Sequence, residues 1–246
     1  MSKSRITGPL FKWFGSKWLS SKTIPQPKYD TIIEPFAGSA GYSLRHSDKR
    51  VMIYEINPHI YNLWGWLIKS ATDTEIREIP LGILEGTDIR TIGLSPGQQL
   101  LLKNWQRTNN VGNCWTISPW GNKPGQWTEN TRSRVADQVQ HVKHWKIFND
   151  CTELYHCDSF LECTWLVDPP YQYNYQYGCN PINYTELADL VYKLRGQVIV
   201  CEAVCSKTGA APNWLPFIPF GERITSRRKE GCNTHSKELM YDHNHT

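Results

Sequence analysis

The chain has 246 residues, enough for one domain or for one domain carrying a sizeable insertion, and enough to bury a core without disulfides or a structural metal. Lys and Arg outnumber Asp and Glu by 27 to 23, a formal charge of +4, which allows a polyanionic partner without requiring one. No run of about 18 apolar residues exists, which argues against a membrane-spanning helix. The N-terminus, MSKSRITGPLFKWFGSK, also lacks an apolar signal core. Eight scattered cysteines contain no C-x-x-C pair, so neither a zinc ribbon nor a dithiol redox motif is expected, and they read as reduced thiols of a cytoplasmic protein. Eleven Trp and twelve Tyr suit stacking surfaces as well as a core. The closing DHNHT, with two His, reads as a solvated tail.

In chain order, TIIE (31–34) reads as a short buried strand followed by a glycine-containing loop, PFAGSAG, and VMIYE (51–55) as a second strand. A helix should start at NPHIYNLWGWLIKSA: Asn57 suits the N-cap, Pro58 the first helical position, and Ile60, Leu63, Trp64, Leu67 and Ile68 repeat at helical spacing. From Thr72 to about Lys146 short helical patterns alternate with polar loops, and TDTE (72–75) and SPGQ (95–98) both have the form of a capping box. Residues 110–130 are rich in Gly, Asn, Pro and Trp and have no clear period. In the RSRVADQVQHVKHWK stretch Val135, Val139 and Val142 make an apolar stripe, while Arg132, Arg134, Lys143 and Lys146 form either a solvated face or a face laid against phosphates. Beyond residue 150, LYHC (154–157) and TWLVD (164–168) read as strands, YTELADLVYKLRG (184–196) as a helix stopped by Gly196, QVIVCE (197–202) as a buried strand, and residues 222–242 as a hairpin with Gly231 in its turn. Strands alternating with helices predict an α/β fold with a mainly parallel sheet.

Three features carry chemistry. The loop EPFAGSAG follows a strand, where open α/β sheets bind ligands, and Gly38 and Gly41 let a ligand come close to the backbone. It matches neither the dinucleotide fingerprint nor the Walker loop, so phosphate binding is not indicated. Glu55 ends the second strand about 20 residues after that loop begins, where an acid can accept from two ribose hydroxyls. Together they favour a nucleoside-bearing cofactor, S-adenosylmethionine rather than NAD. The third feature is VDPPY. Asp168 ends an apolar strand, and Pro169 and Pro170 remove backbone donors and set the direction of the preceding carbonyls. The corner offers only acceptors, with Tyr171 beside it to stack on a planar ring, as a site for a heteroaromatic amine requires.

Taken in order, FKWFGSK, EPFAGSAG, YEIN, CDSF and VDPPY resemble the motif series of DNA adenine-N6 methyltransferases of the Dam type (alpha group), especially phage-encoded members. The resemblance covers the chain apart from roughly residues 75–150. It implies a Rossmann-like S-adenosylmethionine-dependent methyltransferase fold: a mainly parallel seven-stranded sheet with an antiparallel terminal hairpin, plus a small helical and irregular insertion. The catalytic domain would comprise residues 1–74 and 148–246, and the target-recognition insertion residues 75–147. Trp13, Gly15 and Lys17 match the family's N-terminal K-W-x-G-G-K motif, with Ser16 in place of the second glycine, and Lys17 would pair with the carboxylate of the methyl donor. Phe36 and Gly38 match its F-x-G-x-G, whose second glycine falls on Ala40. Glu55 matches the ribose-binding acid, commonly Asp in Dam-type enzymes, and Asp158 an acid near the donor's adenine amino group. Glu34, Ser39 and Asp168 complete the cofactor set.

By the same resemblance, Asp168 and the Pro169 carbonyl accept from the exocyclic amine of a base flipped out of double-stranded DNA, Pro170 and Tyr171 complete the catalytic corner, and the methyl group passes by direct in-line displacement. No metal and no cysteine nucleophile is implied. Candidate DNA contacts are Arg107, Arg132, Arg134, Lys143 and Arg227 for the backbone, and Asn109, Asn110 and Gln126 for base edges. A monomer or weak dimer in the cytoplasm of a bacterium or a phage-infected cell is expected, with no membrane partner. The tyrosines of QYNYQYGCNP, after the corner, suggest a flap over the base or strand. Cytosine-N4 and RNA adenine methylation are alternatives within the same chemistry, and a non-catalytic nucleic-acid-binding protein is an alternative of another class.

Overall fold

The computed structural model describes residues 6–106, 114–151, 154, 162–173, 182–205, 208–227 and 233–242, with side chains for all of these except 221–238. The described strands are β1 (Thr31–Glu34), β2 (Arg50–Tyr54), β3 (Lys146–Phe148), β4 (Cys163–Val167), β5 (Gly196–Ala203), β6 (Ile218–Arg227) and β7 (Asn233–Asp242). The helices are α1 (Gly41–Arg45), α2 (Pro58–Lys69), α3 (Asp73–Arg77), α4 (Pro96–Trp105), α5 (Glu129–Gln138) and α6 (Tyr184–Lys193). The strands form a seven-stranded sheet in the order β3-β2-β1-β4-β5-β7-β6. Pairing is parallel for β2–β3, β1–β4 and β4–β5, and antiparallel where β7 joins β5 and β6. This mixed α/β arrangement is compatible with a Rossmann-like fold. The chain divides into two compact units, one of residues 1–24 and 37–149, the other of residues 25–36 and 150–246.

In the first unit α2 organises the core. Asn57 accepts from the N–H groups of His59 and Ile60 at 3.0 and 3.3 Å, and Pro58 occupies the first helical turn, so the start is fixed as the sequence predicts. Ile60, Leu63, Trp64, Leu67 and Ile68 are buried, each contributing about 1.5–3 kcal/mol. Trp64 packs edge-on against Phe11 and tilted against Trp145. Both predicted capping boxes form, Thr72 with Glu75 at α3 and Ser95 with Gln98 at α4. Val135, Val139 and Val142 are fully buried, as the stripe implies. The N-terminal segment is held by α4 and α5. Thr7 donates to Gln138 Oε1 through its N–H and its hydroxyl, Gln138 donates to the Gly8 carbonyl, and Trp105 donates to that of Leu10.

In the second unit β4 lies between β1 and β5 and is buried at every position. That explains why Cys163–Val167 reads as one apolar run rather than an alternation. Buried Gln197 on β5 accepts from the Lys28 N–H and the Thr164 hydroxyl and donates to the Gln26 carbonyl, tying the chain before β1 to β4 and β5. Gly196 has φ +94°, and a Cβ there would lie 2.4 Å from the Cys163 carbonyl oxygen. Helix α6 ends at Lys193, before the predicted stop, and Gly196 instead opens β5, where only a glycine fits so close to β4. The terminal hairpin forms, starting at Ile218 rather than 222, with register irregularities at Pro219/Gly221 and Ile224/Ser226. For the 154–157 strand expectation only Leu154 is described; its N–H donates to the Cys151 carbonyl.

Candidate functional site

The glycine loop and the N-terminal motif meet in the first unit. Gly38 has φ +49°, and a Cβ there would lie 2.6 Å from Trp13 Cδ1, so Trp13 covers the one face that a side chain would need. Ser39 donates its hydroxyl to Ser16 at 2.8 Å, which ties the N-terminal motif to the glycine loop. A Cβ on Gly41 would lie 2.3 Å from the Trp18 nitrogen, a third close approach. Ala40, between these glycines, takes the left-handed conformation, with φ 46° and ψ 45°. That is the backbone of a glycine carried by an alanine, at a cost of about 1–2 kcal/mol. Lys17 is buried, and its ammonium donates to the Gly15 carbonyl at 3.2 Å.

Glu55, just past β2, is the centre of this group. Its Oε2 accepts from the Gly38 N–H at 2.9 Å and its Oε1 from the Asn57 N–H at 2.8 Å. One carboxyl therefore holds the glycine loop and the N-cap of α2 together. Trp64 adds a second tie from α2, donating its indole N–H to the Gly38 carbonyl at 2.8 Å. Burial pushes the Glu55 carboxyl up to about 7, although the N–H groups of Asn57, Gly38 and Ile56 pull the other way. Each of its two oxygens keeps a lone pair beyond its N–H partner, so the carboxylate can accept further donors. Trp13, Gly15, Lys17, Gly38, Ser39 and Glu55 are thus gathered in one unit.

The corner that follows β4 belongs to the other unit. Asp168 directly follows β4 and is half-buried, as are Pro170 and Tyr171, while Pro169 is buried. Tyr184, at the start of α6, donates its hydroxyl to the Pro170 carbonyl at 2.7 Å. Glu34 ends β1 and is buried, and Phe36 is half-buried. Sequence reasoning missed Glu202. This fully buried acid near the end of β5 accepts from the Ala203 N–H at 3.0 Å, the Gln172 N–H at 3.2 Å and the Trp214 indole at 3.1 Å. Burial raises its pKa to about 7, and the like charge of Asp168 adds to the rise. Its signal was present: an acid closing the apolar run QVIVCE on a strand beside the one that ends in Asp168.

The expected DNA contacts divide differently. Arg134 donates to the Pro9 carbonyl at 2.7 Å, and its guanidinium fills the space that a Cβ on Gly8 would need. Arg132 donates to the Ile79 carbonyl at 3.1 Å and pairs with Glu129. Lys143 donates to the carbonyls of Leu67 and Ala71 at the end of α2. Gln126 is buried and accepts from the Lys12 ammonium at 2.8 Å. These four side chains hold the fold of the first unit. Trp115 has Lys103 over its ring at 4.4 Å and Arg90 at 5.8 Å. Arg107, Asn109, Asn110, Asp158 and the flap of 174–181 lie outside the described residues, as does the side chain of Arg227. The Cys163 thiol is buried and pushed up to about 12, so it stays protonated at neutral pH. Among the described residues no helix is long and apolar enough to cross a membrane, and no three His, Cys, Asp or Glu side chains gather as a metal site requires.

No protein-family model and no curated protein matches the chain. Thirty solved chains match; one, a conserved hypothetical protein of Streptococcus pyogenes, is 10% identical over 88% of each chain, with a TM-score of 0.37. The functional reading therefore rests on the residues of this chain: a mixed α/β protein with the Gly38 loop and Glu55 in one unit and the Asp168–Tyr171 corner in the other.

Proposed function

We propose that the protein is a DNA adenine-N6 methyltransferase that uses S-adenosylmethionine and acts on a base flipped out of the duplex. The observation that carries the reading is Glu55. It is buried, bridges the Gly38 loop and the start of α2, and burial holds its carboxyl at about 7. Such an acid suits the hydroxyl pair of a ribose, and it stands at the carboxyl end of β2 beside a left-handed glycine turn, where open α/β sheets take their ligands. Trp13, Lys17, Gly38, Ser39 and Glu55 would hold the methyl donor. When bound, that donor supplies an electrophilic methyl group on a sulfonium.

The remaining work belongs to the corner after β4. Asp168 and the Pro169 carbonyl accept the two amine hydrogens, so that the nitrogen lone pair faces outward, and Tyr171 stacks on the base. The amine proton is lost once nitrogen has gained its fourth bond; Asp168, already hydrogen-bonded to it, is the nearest carboxylate to receive it. Rate enhancement in this scheme comes from positioning and fixed dipoles. Asp168→Ala should abolish transfer of a tritiated methyl group from S-adenosylmethionine to DNA from a methylation-deficient host, while leaving DNA binding largely intact. Unchanged transfer by this variant overturns the mechanism. If wild-type protein methylates neither DNA nor RNA, the chain is a nucleic-acid-binding module instead.

A further inference from the structure

We propose that Glu202 is a positioning residue that clamps the backbone of the Pro170–Gln172 corner, and so sets the directions in which Asp168 and Tyr171 point; this rests on the reading of that corner as the amine site. The observations form a closed circuit within one unit. Glu202 Oε2 accepts from the N–H of Gln172, the peptide that leaves Tyr171, at 3.2 Å. The same oxygen accepts from the Trp214 indole at 3.1 Å, while Oε1 accepts from the Ala203 N–H at 3.0 Å. Trp214 leans on Tyr184, with ring centroids 5.5 Å apart. Tyr184 in turn donates its hydroxyl to the Pro170 carbonyl at 2.7 Å. The corner is therefore held on both sides of Tyr171: at the Pro170 carbonyl from α6, and at the Gln172 N–H from β5.

The prolines explain why such a clamp is needed. Pro169 and Pro170 have no N–H, so these two positions cannot be pinned by ladder donors, and the corner is held through the Gln172 N–H and the Pro170 carbonyl. A fully buried acid beside Asp168 is an expensive way to fill a strand end. Three donors on one carboxyl are the compensation, and one of them is the N–H of the residue after the proposed stacking ring. An apolar residue at 202 would leave the Gln172 N–H and the Trp214 indole without their acceptor.

Glu202→Gln keeps the volume but has only one acceptor oxygen, so its NH2 must face at least one of the three donors. Tyr184→Phe removes the bond to the Pro170 carbonyl while keeping the ring against Trp214. Both variants should keep the wild-type melting temperature within a few degrees. Each should lower kcat by about a hundredfold, the scale of a small misplacement of reacting groups, while the KM for S-adenosylmethionine stays nearly constant. The double variant should lose less than the product of the single losses, because both act on one corner. Amide hydrogen exchange gives a readout that needs no turnover: Gln172 should exchange faster in Glu202→Gln. Unchanged exchange at Gln172 overturns the clamp. A rise in KM equal to the fall in kcat, or a melting loss large enough to account for the fall, overturns the kinetic role. If wild-type protein shows no methyl transfer but Gln172 still loses protection in the variant, the amine-site reading fails while the clamp itself stands.

Discussion

Glu55→Gln tests the cradle most directly, because the buried carboxyl leaves a signature in both stability and binding. Its pKa lies at about 7 in the folded chain against an ordinary 4.5. The folded state thus holds this proton where the unfolded state has released it. The associated stability is fully present below about pH 4.5 and is lost as pH rises through 7, amounting to about 3 kcal/mol. Gln is neutral throughout, so the variant should lack this part of the pH dependence. Glu202, also pushed up to about 7, contributes a similar slope that the variant retains. Ligand binding should run the opposite way. Hydroxyl donors favour the ionised carboxylate, so adenosine, which carries no titrating group near neutrality, should bind about tenfold more tightly at pH 8 than at pH 6. Calorimetric titration of adenosine across that range should show this trend in wild type and a weaker, flat profile in Glu55→Gln. A flat wild-type profile, or parallel profiles for the two proteins, refutes the assignment of Glu55 to the hydroxyl pair.

Gly38→Ala should destabilise the chain by about 1–2 kcal/mol through its left-handed backbone, and further through the contact with Trp13. Thermal melting should show that Trp13→Ala relieves the second part but not the first. Asn57→Ala should cost about 1 kcal/mol by uncapping α2, read by denaturant titration. Lys143→Met should cost about 1–3 kcal/mol, because the carbonyls of Leu67 and Ala71 lose a charged donor. The salt slope of DNA binding should be unaltered in this variant; a reduced slope would show that Lys143 neutralises a phosphate.

Local features of this fold were legible because their partners lie within a turn. Asn57, Thr72 and Ser95 each cap a helix whose first N–H groups are two or three residues away, and all three caps form. The unbroken apolar run of β4 and the alternation of strands with helices pointed to a parallel sheet, with β7 returning antiparallel. Long-range partners were not legible. The helical net of α5 shows a basic face, but it does not show that Pro9 and Ile79 offer carbonyls to Arg134 and Arg132. Glu202 read as the polar end of a strand, because its partners Gln172 and Trp214 lie 30 and 12 residues away. Glu55 stood out from its distance to the glycine loop, yet its hold on the Asn57 N–H needed coordinates.

The bridge made by Glu55 also constrains how this chain can change over generations. Its two oxygens span from Gly38 to Asn57, and the reach is that of a glutamate. An aspartate would be shorter by one carbon–carbon bond, about 1.5 Å, and could keep both partners only if the loop moved toward the strand end. Trp13 fills the space against Gly38, and the Trp64 indole is anchored to the Gly38 carbonyl, so that movement is blocked unless they shift too. Lineages that exchange Glu for Asp here should therefore carry compensating changes at the positions of Trp13 or Trp64, and the four residues should drift as a set.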